Sequence, residues 1–156
     1  MNNEGEAVSR LNTTAEIVSY AGVVPLVLCL LGVGLLPDYA GRELAQRIAI
    51  AYGAVILTFV GAVHWGLALA GRIAWRPMRV SGSILPALIG VAAMVLGGQH
   101  GLALLTVGFG VFWLYEHRNV GSELPAAYLS LRRNLSLVGC LLLAVTLILS
   151  DKAGLV

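Results

Sequence analysis

The sequence predicts an all-α integral membrane protein, a five-span transmembrane helix bundle with its N-terminus inside and its C-terminus outside. Three observations carry that expectation. Of 156 residues, 58% are apolar and only 12% charged, and the mean hydropathy is +0.87. A soluble domain has about 25% charged residues, so too little charge is present to cover a surface facing water. The apolar residues gather into five long runs. Each crossing takes about 20 residues, so five of them leave only short connections and no extramembrane domain. The ten Lys and Arg, finally, divide unevenly between alternate connections.

Residues 1–16 form an N-terminal cytoplasmic segment and 17–150 a single five-helix domain. The segment MNNEGEAVSRLNTTAE holds three acids and one base, unlike the basic start of a signal peptide, so the first span is expected to be retained. That span covers about 17–36, contains Pro25 and closes at Leu36-Pro37-Asp38-Tyr39. The second, 48–70, lies between Arg47 and Arg72 with one ionisable group, His64, inside it. The third, 80–98, contains Pro86 and meets the fourth, 102–118, at Gly97-Gly98-Gln99-His100-Gly101, a join short enough for a tight helical hairpin. The fifth, 126–150, starts near Pro125, with Ser122 as its cap.

Orientation follows from the Lys and Arg of the short connections. Arg10, Arg72, Arg76, Arg79, Arg118, Arg132 and Arg133 fall on one side, and Arg42, Arg47 and Lys152 on the other. The richer side is inside. Tyr20, Tyr39, Trp75, Trp113, Tyr115 and Tyr128 fall near span ends, as an interfacial aromatic belt does, whereas Trp65 does not. A multi-pass protein of a bacterial inner membrane is the expected location. The net charge of +2 lacks the basic patch that nucleic-acid binding needs. Cys29 and Cys140 lie within apolar runs and read as small packed hydrophobes, not as a disulfide or metal site.

On the second span, Ala54, Thr58, Ala62, Gly66 and Ala70 recur every four residues. Small residues at that spacing let another backbone approach, which is how helices associate in lipid. A neighbouring span of the same chain is the expected contact, with a second copy or another protein as the alternative. On the same helix, His64 lies eight residues before Arg72, roughly 12 Å from the inner boundary at about 1.5 Å per residue. An ionisable side chain at that depth is a candidate functional group. Either it is a neutral imidazole bonded to another helix, with Trp65 filling space, or His64 and Trp65 line a site for a ligand or proton. As a haem ligand it would supply one axial position, and a second would require His117 to fold inward.

Trp113, Glu116 and His117, at the inner end of the fourth span, are further ligand candidates. A water-bridged relay to His64 is one role for Glu116 and His117, and an interfacial ion pair of Glu116 with Arg118 is the plainer one. Before the last span, Tyr128 and Arg132 share a helix face. With Arg133 they are expected to meet lipid headgroups, each Arg contributing about 1 kcal/mol. No nucleophile and base pair, phosphate loop or metal motif is present, so catalytic residues and metal ligands are none and the cofactor is unknown.

The stretch Tyr52-Gly53-Ala54-Val55-Ile56-Leu57-Thr58-Phe59-Val60-Gly61-Ala62-Val63-His64-Trp65-Gly66 resembles the signature of a membrane family, the domain of unknown function numbered 3429, which includes transmembrane protein sixty-nine. Tyr20-Ala21-Gly22-Val23-Val24-Pro25 and Pro125-Ala126-Ala127-Tyr128-Leu129-Ser130-Leu131-Arg132 are similar to two further parts of it. The likeness runs from about Ile17 to Leu149, and it departs at Glu116-His117-Arg118, where the family pattern has an Asp followed by basic residues. It implies a small multispan protein of bacterial or mitochondrial inner membranes with no assigned reaction.

Three functions are compatible with these features. The short connections hold no catalytic site, so the first is a non-enzymatic binding or assembly factor for a membrane complex, its partners being the lipid bilayer and another membrane protein or a second copy. The second is a module for a hydrophobic small molecule, a quinone, porphyrin or lipid, using His64 and Trp65. The third is a proton-coupled channel or carrier in which His64 titrates.

Overall fold

The computed structural model describes residues 13–74, 76–119 and 124–155. Arg10, Trp75 and Ser122, used above for orientation, the aromatic belt and the last helix cap, lie outside them, as does most of the segment 1–16. Among the described residues the regular structure is helical throughout. Helices α1 (Thr13–Ala21) and α2 (Val24–Leu35) form one apolar stretch, Glu16–Leu35, interrupted at Gly22-Val23. Pro25 lies in the first turn of α2 and has no N–H to continue the ladder across that break. The Tyr52 hydroxyl instead donates to the Gly22 carbonyl at 2.8 Å.

Helix α3 (Tyr39–Leu69) begins well before the apolar run at Ile48, because Asp38 caps it by accepting from the Gly41 amide at 2.6 Å. Its 31 residues span roughly 46 Å at about 1.5 Å each, longer than the roughly 30 Å hydrocarbon layer. Its first turns therefore extend past the apolar part. Helix α4 (Pro77–Leu96) starts on a proline, α5 (Gly98–Asn119) follows after one residue, and α6 (Ala126–Lys152) begins just after Pro125. The α4–α5 join is Gly97, at φ +62°, a conformation costing other residues about 1–2 kcal/mol.

Consecutive helices pack side by side in an alternating bundle, α6 closes on α2, and α3 touches α2, α4, α5 and α6. Leu57, Leu102, Leu105 and Leu143 are fully buried at its centre, with Ala54, Phe109 and Phe112 around them. Gly61 sets the α3–α4 crossing: a Cβ there would stand 2.5 Å from the Ser83 carbonyl oxygen and 2.9 Å from Pro86. The ring of Pro86, inside α4, thus lies against a surface with no side chain.

Three helices are long and apolar enough to cross a membrane: Glu16–Leu35, Tyr39–Leu69 and Ala126–Lys152. Helix α4 carries a shorter apolar part, Gly82–Leu96. Leu28, Val55, Phe59, Leu88, Val95, Val107 and Leu141 are exposed around the bundle, an outer surface suited to lipid. Together these features point to a membrane protein.

The small-residue stripe does not form one continuous contact within the chain, as the sequence pattern led us to expect. Ala54 packs on Gly90 and Thr58 touches it from a more open position, but Ala62, Gly66 and Ala70 are exposed. The reason is geometric. At 3.6 residues per turn a four-residue step advances about 40° past a full circle, so the stripe winds off the packed face. That face runs instead through Gly53, Leu57, Val60, Gly61, His64 and Ala68.

Candidate functional site

Four side chains from three helices meet at the end of the bundle where α3 and α5 finish and α6 begins. Glu116, on α5, is 1% exposed. Its Oε2 accepts from Arg132 Nε at 3.0 Å, and its Oε1 lies 3.4 Å from His64 Nε2 and 3.5 Å from the Tyr128 hydroxyl. Burying an ionised carboxylate costs several kcal/mol unless charge and hydrogen bonds compensate. Arg132, itself 13% exposed, supplies the opposite charge.

The helices deliver these groups by repeat spacing. On α5 the buried positions Leu102, Leu105, Phe109 and Phe112 continue directly into Glu116. On α6 the buried positions Ser136, Gly139 and Leu143 extend backwards, four residues at a time from Ser136, to Arg132 and Tyr128. His64 is 3% exposed on the packed face of α3 and meets Phe112 edge-on, ring centres 5.4 Å apart. Neither imidazole nitrogen makes a well-formed hydrogen bond among the described residues.

The sequence expectations are corrected at three points. Glu116 is not an interfacial partner of Arg118; it lies inside, against Arg132. Tyr128 and Arg132 turn toward that carboxylate instead of outward to headgroups, while Arg133 remains exposed. Trp65 does not fill the core, being 41% exposed. His117 is also exposed, stacked on Trp113 at 5.7 Å. His64 Nε2 and Glu116 Oε1 stand 3.4 Å apart, too close for a water between them. The sequence reading passed over Arg79 and Ser83, which face His64 from α4.

Three cavities open around the cluster. A mouth of about 340 Å³ has Glu116, His117, Ser130, Arg132 and Arg133 set among the apolar surfaces of Trp113, Ala126 and Leu129. An apolar groove of about 320 Å³ runs beside Leu26, Ile56, Phe59, Val60 and Phe109, and it too reaches Arg132. A pocket of about 10 Å³, the size of one water, is shared by His64, Trp65, Arg79 and Ser83. Arg132 therefore borders both the mouth and the groove. No group of three His, Cys, Asp or Glu suited to a metal ion occurs among the described residues. Glu116 and His64 can exchange a proton if they close to within about 3.2 Å.

Segments singled out by resemblance touch one another at two places. Tyr52 holds Gly22 at the first break, and Arg132 reaches His64 through Glu116. A family model described as a protein of unknown function, DUF3429, matches residues 11–148. The chain belongs to the DUF3429 family. No curated protein and no solved structure matches it. DUF3429 membership names no reaction, so the chemistry is argued from the cluster.

Proposed function

We propose that this protein is a non-enzymatic, multi-pass bundle of a bacterial inner membrane that binds a hydrophobic small molecule with a hydrogen-bond-accepting head, of the quinone or lipid kind. The observation that carries this reading is Arg132, which Glu116 fixes between the mouth with its charged side chains and the apolar groove. One of the five guanidinium donors goes to Glu116, and the arginine has others to offer a carbonyl or phosphate oxygen. A tail would lie along Leu26, Ile56 and Phe59. Five crossings with the N-terminus inside are supported by the alternation of helices, which gathers Arg72, Arg76, Arg79 and Arg118 at the cluster end and Arg42, Arg47 and Lys152 at the other.

The test is to extract the protein in mild detergent and identify what remains bound by native mass spectrometry and solvent extraction. We expect a hydrophobic molecule at about one per chain, depleted roughly tenfold in Leu135→Trp, which fills the groove, a loss equivalent to about 1.4 kcal/mol. Equal content in the two proteins, both folded, would sink the proposal. Docking of a membrane partner or second copy is favoured by one feature, the exposed small surface of Ala62, Gly66 and Ala70. The same mass spectrum reads that outcome as protein mass beyond one chain.

A further inference from the structure

A different site lies at the opposite end of the bundle. Gln46, in the early turns of α3, is 1% exposed, and its amide nitrogen has no hydrogen-bond partner among the described residues. Leaving a buried amide donor unsatisfied is costly, so its retention points to a partner that is not part of the fold. The residue lines a cavity of about 540 Å³ between the start of α3 and the end of α4. This cavity shares no lining residue with those around Glu116.

Its walls change character with depth. At the rim, Glu43 and Arg47 form an i,i+4 ion pair using one carboxylate oxygen and one guanidinium nitrogen. That leaves Glu43 Oε2 able to accept and other Arg47 N–H groups able to donate. Gln46 follows, and then Ile50, Ala51, Met94 and Leu96 make an apolar wall, on which Met94 and Leu96 are exposed toward the surrounding lipid. A site with both charges above, one amide donor below them and an apolar wall beneath is complementary to a zwitterionic phospholipid.

We propose that this cavity binds a phospholipid with a primary-ammonium zwitterionic head, the phosphoethanolamine type. The phosphate meets Arg47, which suits planar, forked recognition of such groups. The ammonium meets Glu43 Oε2, the ester carbonyl accepts from Gln46, and the acyl chains lie along Met94 and Leu96. A quaternary ammonium cannot donate to Glu43, and an anionic phosphoglycerol head offers that carboxylate only neutral hydroxyls, with no positive charge. The site therefore discriminates by the number of N–H donors as well as by charge.

The experiment reconstitutes the full chain in vesicles of equal parts phosphatidylethanolamine, phosphatidylcholine and phosphatidylglycerol, re-extracts it gently and counts retained lipids by native mass spectrometry. Phosphatidylethanolamine is expected to be retained over each of the other two lipids by a ratio of roughly fivefold to tenfold. Glu43→Gln should return retention to the bulk ratio, and Gln46→Leu should lower the total lipid retained per chain. Gln46→Leu should also raise the melting temperature of delipidated protein, since it removes an unpaired buried donor; a merely structural glutamine would lower it. Retention in bulk proportion by the native chain, preference for phosphatidylglycerol, or total lipid retention unchanged in Gln46→Leu would each overturn the proposal.

Discussion

The two ends of the bundle bury polar groups in opposite ways. At one, Glu116 is 1% exposed, yet it has a charge partner in Arg132 and polar neighbours in His64 and Tyr128. At the other, Gln46 is equally buried, and its amide nitrogen, like the Ser150 hydroxyl, has no partner among the described residues. A carboxylate cannot be left alone inside a bundle, because its desolvation must be offset where it stands. A neutral amide can wait for a ligand at a cost of about 1–3 kcal/mol. The Glu116 carboxylate is therefore compensated within the chain, whereas the Gln46 amide, like the His64 nitrogens beside that carboxylate, has an open valence.

Removing the charge partner should produce the largest effect. Arg132→Leu strands Glu116 and is expected to cost about 3–5 kcal/mol, read as a marked drop in melting temperature in detergent. Adding Glu116→Gln should recover most of it. If the double variant were no more stable than the single, the contrast between the ends would lose its electrostatic basis. Next comes Gln46→Leu, with the opposite sign: a gain of about 1 kcal/mol in delipidated protein. A loss there would mean that the Gln46 amide is as well compensated within the chain as the Glu116 carboxylate. The smallest change is Tyr128→Phe, whose hydroxyl is 3.5 Å from Glu116 Oε1, at the limit of hydrogen bonding. We expect less than about 1 kcal/mol from it, and a larger loss would promote Tyr128 to an equal partner of Arg132.

The helices were legible because long apolar runs and punctuating prolines and glycines act locally. Hydropathy placed the second span at Ile48, and only the cap at Asp38 reveals the earlier start of α3. His64 was conspicuous as an ionisable group among apolar neighbours. Glu116 and Arg132 were not, since each sits in a charged stretch that reads as a surface. Their inward direction was nevertheless encoded in register: Leu105, Phe109, Phe112 and Glu116 share one face of α5, and Arg132, Ser136, Gly139 and Leu143 share one face of α6. Following the core's repeat one turn beyond the last apolar residue would have found both. The same reading finds Gln46, which falls in line with Ile50, Gly53 and Leu57 on α3. What no spacing rule supplies is which faces meet, and that depends on how three helices close on one another.

The join at Gly97 has a consequence for how this protein can be handled. One residue separates α4 from α5, and the Gly97 amide is already committed to the Ala93 carbonyl at 3.0 Å. Nothing protrudes there for a protease to cut, an antibody to grip or a label to reach. A tag or reporter domain inserted at that turn would have to unwind both helices to find slack, so side-of-membrane mapping belongs at the longer connection between Ala70 and Arg76.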